Sequence, residues 1–338
     1  MAITRIWQAG LEQGNLFEFT NTSGGGVAAS TTDKKTGSYS LTCINDNCWA
    51  SVTIPATRQI RGGFYFNPES PNQGGDINLF WIRDASNNEL FAIEQTVPVG
   101  GSNLILEVAG VNQDTELGAV PANTWIHLGY DVKIDSVAGW VKIYKDGVEI
   151  LSFVGNTGNA DIVTVFHGNL TNAGVNQYWD DMYIDDTTGE AGAVPAPLLR
   201  FPYVVPNGNG NYSQWDGSDG NQVDNYALVD EIPASGTDYL TTSTVDELDS
   251  FAMGTYVLAA NEACVAMIPV VNAQRTGVTE QLALGTRYSA TDVVGSDQTP
   301  ASTYDYAWER QTSAPGGGSW DQAAIDGFEV IVKSRGSY

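Results

Sequence analysis

The sequence has few basic residues. It contains 15 Lys and Arg against 40 Asp and Glu, a formal net charge of −25 and a pI near 4.1. Residues 201–274 contain no Lys or Arg but ten acidic residues. A surface of that sign repels phosphate backbones and anionic lipid headgroups. We therefore expect neither nucleic acid as a partner nor insertion into a membrane.

Cysteine and histidine are also scarce. The three cysteines, Cys43, Cys48 and Cys264, are too few and too scattered for a disulfide framework or a zinc site. Cys43 and Cys48 can close a small loop, although we interpret the cysteines as free or buried thiols. The two histidines, His127 and His167, offer little to a metal centre or a Ser-His-Asp triad, and we interpret both as core-edge or surface groups.

Long apolar runs are missing as well. No stretch approaches the roughly 18 apolar residues of a membrane span. The opening "MAITRIWQAG" lacks the apolar region of a secretory signal. We expect a protein without an export signal.

What the sequence does contain is typical of an all-β protein. Its 37 Gly and 13 Pro separate short runs rich in Val, Ile, Thr, Tyr and Trp. "GFYFN", "INLFWIRD", "ELFAIEQ", "NLILEVAG" and "WIHLGYDVKI" have strand length. In "GWVKIYKDGVEILSF", Asp146-Gly147 favours a type I′ turn and predicts a hairpin.

The length and a change in composition predict two domains. With 338 residues the chain exceeds a typical single core. After residue 190 the run "AGAVPAPLLRFP" carries three prolines, which disfavour a central strand. We predict two antiparallel β-sandwich (jelly-roll) domains, residues 1–190 and 203–338, joined by a stiff, extended Pro-rich linker at 191–202.

The segment "YWDDMYIDDTTGE" is the main candidate for chemistry. Glycan hydrolysis needs two carboxylates flanking the bond, and no Glu partner lies near these aspartates, so we predict no catalytic residues and no enzyme. Calcium takes about six to eight oxygens, often from several carboxylates. Glu12, Asp180 and Asp181 can converge on one ion if the first and last strands are neighbours. Alternatively, the aspartates are only solvated charges.

Aromatic side chains are the other candidates, because sugars stack their apolar faces on them. Trp81, Trp179, Trp215 and Trp308 are possible platforms. A sandwich core also requires tryptophans, and we expect most of these four to be buried.

The order of motifs in residues 1–190 resembles that of concanavalin A-like (laminin G-like) jelly-roll domains. The matching stretches are "GLEQGNLFEF", "TGSYSL", "TWIHLGYDV", "VKIYKDGVEI" and "YWDDMYIDDTTGE". The resemblance implies a structural calcium held by Glu12 with Asp180 or Asp181. It carries over no activity, since neither the acid pair of family-16 glucanases nor the "Y-x-K-x-G-x-Y" strand of alginate lyases is matched.

Residues 200–338 resemble a β module of tailed-phage virion structural proteins. Val330 stands where a late Gly is usual in that module, and no functional residue transfers from it. The positions that match are Trp215, Asp230, Glu231, Pro233, Trp320 and Ile325.

These resemblances predict a surface protein of a bacteriophage particle, either a capsid decoration or a tail or fibre component. It would be assembled in the host cytoplasm, contact other virion subunits as a homo-oligomer, and act by assembly and adhesion. The alternative is a carbohydrate-binding module that recognises a host surface glycan through loop aromatics of the first domain.

Overall fold

The computed structural model describes residues 4–44, 47–69, 77–96, 102–170, 176–260 and 262–336. The chain divides into two compact units, Met1–Pro202 (unit 1) and Tyr203–Tyr338 (unit 2). Within the described residues no helix has the length and hydropathy that a membrane crossing requires.

The described residues of unit 1 form strands joined by loops, with no helix. The strands are β1 (Thr4–Ala9), β2 (Asn21–Ser23), β3 (Val27–Ser30), β4 (Ser40–Cys43), β5 (Cys48–Thr57), β6 (Gln59–Pro68), β7 (Ile77–Arg83), β8 (Glu89–Thr96), β9 (Ser102–Val108), β10 (Val111–Val120), β11 (Ile126–Lys133), β12 (Gly139–Lys145), β13 (Val148–Gly155), β14 (Ile162–Asn169) and β15 (Gln177–Asp186). The predicted all-β class is confirmed, and the five strand-length runs named above form β6, β7, β8, β9 and β11.

These strands form two antiparallel sheets. Sheet A has the order β13-β12-β11-β6-β15-β4-β3, with β1 also paired to β15, and sheet B has the order β10-β9-β8-β7-β14-β5-β2. The first and last strands of the unit are therefore neighbours, as the calcium hypothesis requires.

The period-two alternation of each strand separates a core face from an outer face. On β11, Leu128, Tyr130 and Val132 belong to the main core cluster. His127 and Asp131 alternate with them and lie on the opposite face, which we call the outer face of sheet A. The predicted β12–β13 hairpin is confirmed, because Lys145 pairs with Val148 and both turn residues have positive φ, +50° at Asp146 and +85° at Gly147.

Residues 191–202, predicted as a linker between the domains, belong to unit 1. They form no strand, because their prolines lack the backbone N–H that strand pairing requires. They are nevertheless hydrogen bonded to sheet A. Val194 N donates to Asp131, Phe201 N donates to Asp181, and the Tyr183 hydroxyl donates to the carbonyl of Pro197. We call residues 191–202 the strap.

Unit 2 is mainly one antiparallel sheet with two short ribbons. Its sheet has the order β16-β19-β24-β21-β22, and the ribbons are β17-β18 and β20-β23. A 3₁₀ helix at Asn225–Leu228 and α1 (Gln322–Gly327) complete the unit. The strands are β16 (Pro206–Ser213), β17 (Asp216–Gly217), β18 (Leu240–Thr241), β19 (Leu248–Met253), β20 (Val270–Ala273), β21 (Glu280–Tyr288), β22 (Thr291–Val294), β23 (Asp305–Trp308) and β24 (Glu329–Gly336).

The ribbon β20-β23 packs on the five-stranded sheet. Ala307 and Val271 contact Leu282, Leu284 and Val332 in one cluster. The opposite face of the ribbon is left outside this core. Unit 2 thus has its own packed layers, as a separate domain requires.

Candidate functional site

The predicted metal ligands lie where the last strand of unit 1 is irregular. Along β15 the register shifts between Asp180 and Tyr183, since three steps on this strand oppose two on β6. Asp181 has a φ of +48°. Such a bulge re-aims a side chain, and here both Asp180 and Asp181 are fully buried.

Backbone donors of residues 35–39 surround these carboxylates. Asp180 Oδ2 accepts hydrogen bonds from Lys35 N at 2.7 Å and Thr36 N at 3.1 Å. Glu12 Oε2 accepts one from Ser38 N at 2.7 Å, and Oε1 accepts one from Tyr39 N at 3.2 Å. Glu12 and Asp180 therefore hold the same short loop from two sides.

Gly37, in the middle of that loop, has no room for a side chain. Its φ is +56°, and an added Cβ would lie 2.1 Å from the Glu12 carboxylate. Only glycine readily takes this positive φ and leaves the space beside Glu12 free, which explains the glycine of the "TGSYSL" motif.

Asp181 is the third carboxylate of this group, and one of its two oxygens has no hydrogen-bond partner among the described residues. Its Oδ1 accepts hydrogen bonds from Thr36 Oγ1 at 2.9 Å and Phe201 N at 2.7 Å, whereas its Oδ2 is buried without a partner among the described residues. Burial raises the pKa of Glu12 to about 7, that of Asp180 to about 8 and that of Asp181 to about 6. An uncompensated buried carboxylate takes up a proton or a cation to reduce this cost.

Sequence reasoning missed a further acid in the same region, the half-buried Glu18. Glu18 accepts hydrogen bonds from Gly10 N and Leu11 N, both at 3.1 Å, and burial raises its pKa to about 8. It fixes the turn in which Leu11 has a φ of +57°. The only signal was its place in the "GLEQGNLFEF" stretch, beside Glu12.

The fit of these residues to a calcium ion is incomplete on side chains alone. Across the described part of the chain, no three His, Cys, Asp or Glu side chains are grouped so that they could hold a metal ion. Most oxygens of Glu12, Asp180 and Asp181 already accept N–H or O–H donors. Among the carboxylate oxygens of these three residues, only Asp181 Oδ2 lacks a hydrogen-bond partner in the described structure, and this favours a cation there.

Both histidines are buried, which corrects the expectation of core-edge or surface groups. His167 lies in the core among Trp7, Phe64 and Phe80, with ring centroids at 5.7, 5.3 and 5.1 Å. Burial lowers its pKa to about 3. His127 lies on the outer face of sheet A with no exposed surface, and burial lowers its pKa to about 4. In the described structure, both ring nitrogens of His127 and Nδ1 of His167 lack the hydrogen-bond partners that a triad requires.

The aromatic candidates separate clearly by exposure. Trp81 and Trp179 are fully buried, Trp215 is half-buried, and Trp308 is 53% exposed. In the described part of unit 1 no Phe, Tyr or Trp is exposed. The described residues of the first domain therefore offer no exposed aromatic side chain, and a sugar site on that domain stays a prediction.

Trp308 has an aromatic neighbour on the same face of its ribbon. Ala307 points into the core of unit 2, so Tyr306 and Trp308 share the opposite face, about 7 Å apart along the strand. On the paired strand Asn272 lies opposite Tyr306 and Val270 lies opposite Trp308. Asn272 Oδ1 is buried, and the described residues provide it with no hydrogen-bond donor.

No protein-family model and no curated protein matches this sequence. Solved structures that are similar to it include a cellulose-induced protein (14% identity, 49% of this chain and 87% of that chain, TM-score 0.37). Another is domain 4 of an extracellular arabinanase from Geobacillus stearothermophilus in complex with arabinotriose (15% identity, 55% of this chain and 94% of that chain, TM-score 0.38). A third is the catalytic domain of a glycoside hydrolase family 131 protein from Coprinopsis cinerea (13% identity, 58% of this chain and 98% of that chain, TM-score 0.37). No residue role is carried over from them.

Proposed function

We propose that this chain is a non-catalytic saccharide-binding protein whose site is the outward face of the ribbon β20-β23. The observation that carries the proposal is the exposure of Trp308. Tryptophan is the largest apolar side chain and is highly buried on average. Trp308 instead presents more than half of its surface to solvent, beside Tyr306.

The chemistry of this face suits a sugar ring. Aromatic planes accept the apolar face of a pyranose, while its hydroxyl groups need hydrogen-bond acceptors and donors at the edge. Asn272, half-buried opposite Tyr306 on the paired strand, is the polar side chain on this face. Gln298 Nε2 donates to the carbonyl of Trp308 at 2.9 Å and fixes the end of the strand.

Charge selects among saccharides. The net charge is −25, and Asp305 on the same strand is exposed. A polyanionic glycan would be repelled by this field. We therefore expect the site to bind neutral oligosaccharides, with their hydroxyl groups toward Asn272.

The test is a titration of the full chain with a panel of neutral oligosaccharides, followed by tryptophan fluorescence and calorimetry. Trp308→Ala is expected to weaken binding at least tenfold. Tyr239→Ala is the matched control, because Tyr239 is 43% exposed but lies outside the ribbon. Absence of binding to every neutral glycan, or equal loss in both variants, would contradict the proposal.

Calcium remains a proposal in which Glu12, Asp180 and Asp181 hold one ion. The unpartnered Asp181 Oδ2 and the raised pKa values of all three acids support it. A bound cation would supply positive charge to a buried acidic cluster and tie the N-terminal segment to the last strand. Its role would be structural.

The virion location rests on the sequence resemblance of residues 200–338 and stays a prediction, as do the homo-oligomeric state and assembly in a host cytoplasm. Saccharide binding is compatible with it, since adhesion to a host glycan is one task of a particle surface. No catalytic step is assigned to the chain.

A further inference from the structure

Three of the contacts between the strap and sheet A are spaced three residues apart. Val194 N donates to Asp131 Oδ2 at 3.0 Å, and the carbonyl of Pro197 accepts from Tyr183. The side chain of Arg200 is hydrogen bonded to Tyr65. A period of three is that of a polyproline II helix, which has no internal hydrogen bonds and leaves its backbone groups free for a partner.

The surface beneath the strap has the composition that binds such helices. Tyr65, Tyr144 and Tyr183 lie on the outer face of sheet A and are each at most 5% exposed. Proline-rich segments dock on aromatic-lined surfaces because their extended conformation is already formed. The strap is thus held as a peptide ligand is held, although it is part of the same chain.

One glycine lets the strap approach the sheet, and a second leaves room for the ring of His127. A Cβ at Gly129 would lie 2.9 Å from the Cβ of Ala196, and a Cβ at Gly63 would lie 2.7 Å from His127 Nε2. The ring of His127 therefore lies where side chains at Gly63 and Gly129 would otherwise be. Ala196, 2% exposed, covers the neighbouring position.

The strap leaves some polar groups of this face without hydrogen-bond partners. Neither ring nitrogen of His127 has a partner in the described part of the chain, and the same holds for Arg61 Nη2. Tyr65 contacts the His127 ring only through its own ring, with centroids 5.0 Å apart. Buried polar groups without partners are costly, so this face has unused capacity for hydrogen bonds.

The strap also buries few of its side chains. Of its twelve residues only Ala196 is buried, and the apolar side chains of Val194 and Leu198 are 42% and 50% exposed. Segments with few buried contacts and isolated hydrogen bonds open at low free energy, whereas strands within a core open only with the whole unit.

We propose that residues 191–202 are a releasable strap that binds the outer face of sheet A as a proline-rich peptide ligand, and that its release uncovers a preformed polar and aromatic surface centred on His127. This surface is separate from the saccharide site in unit 2. The partner that it fits is an extended chain with the spacing Val-x-x-Pro-x-x-Arg.

The two histidines make the test specific, because they are the only ones in the chain and only His127 lies beneath the strap. The probe is diethyl pyrocarbonate, with modification at each histidine quantified by peptide mass spectrometry. Ala196→Arg is expected to raise the modification rate of His127 at least tenfold and to leave His167 unchanged. Leu198→Arg adds the same charge to the same segment at a half-exposed position, and both histidines should keep their wild-type rates.

An unchanged His127 rate in Ala196→Arg would overturn the proposal. A parallel rise at His167 would overturn it as well, because the strap would then be part of the cooperative core. The synthetic peptide AGAVPAPLLRFP, added to Ala196→Arg, should restore protection of His127. Failure to do so at millimolar concentration would overturn the peptide-ligand mode.

Wild-type protein gives a second test that needs no variant. In native-state hydrogen exchange, the amides of Val194 and Phe201 should exchange together and at least 100-fold faster than those of Leu128 and Val132 in β11. Exchange of the strap amides at the rate of β11 would mean that the strap opens only on global unfolding, which contradicts release.

Discussion

His167 should make unit 1 sensitive to acid. Its side chain is 1% exposed, it lies among Trp7, Phe64 and Phe80, and its Nδ1 has no hydrogen-bond partner in the described structure. Burial lowers its pKa from 6.5 to about 3. The unfolded chain therefore binds a proton between these values that the folded chain does not bind. Stability must fall as the pH drops below 6.5.

The magnitude follows from that difference. At pH 5 the unfolded chain gains roughly 2 kcal/mol of protonation free energy at one histidine, whereas at pH 7.5 it gains less than about 0.1 kcal/mol. His167→Leu keeps an apolar side chain in the cage and removes the titration. Between pH 7.5 and 5, the wild type should lose about 2 kcal/mol more free energy of unfolding than the variant.

The assay is urea unfolding at four pH values, followed by intrinsic fluorescence. The transition that His167→Leu shifts identifies unit 1. All other titrating groups are common to both proteins, so the raised pKa values of the buried acids cancel in the difference. Equal pH dependence in the two proteins, within about 0.5 kcal/mol, would refute a neutral, buried His167.

Two further predictions concern buried charge. If calcium is bound near Glu12, a chelator should lower the melting temperature of the wild type and have almost no effect on that of Glu12→Gln. A wild-type melting temperature that the chelator leaves unchanged would contradict a bound ion. Asp131 is fully buried and pairs with Arg61 at 3.1 Å, so Asp131→Ala should cost about 3–5 kcal/mol by leaving a buried guanidinium unpaired. The double variant with Arg61→Met should recover much of that loss in urea unfolding. No recovery would mean that the lost hydrogen bonds from Trp140 Nε1 and Val194 N to Asp131, instead of the unpaired charge, dominate.

Local signals predicted much of the architecture. The Asp146-Gly147 pair fixed a hairpin because its residues readily take positive φ, and the strand runs of unit 1 form the expected strands. The neighbourhood of Glu12 and Asp181 was also predictable from the resemblance, and their charges do interact. The acid Glu18 was missed because nothing local distinguishes a carboxylate that caps a buried turn from a solvated one.

Exposure could not be read from the sequence at the tryptophans. Trp81 and Trp308 both stand in short alternating runs, but the neighbours on each face decide which is buried. Trp81 packs against Phe166 with stacked rings 4.9 Å apart. Trp308 lies on a ribbon whose core face is already occupied by Ala307.

The sequence by itself determined the all-β class and the position of the β12–β13 turn, because alternation and turn chemistry act over a few residues. Only the tertiary structure decided that a proline-rich stretch lies on a sheet, that His127 is covered by it, and that Trp308 alone of four candidate tryptophans is exposed. These outcomes depend on which surfaces meet across long stretches of chain, and composition and local pattern do not contain that information.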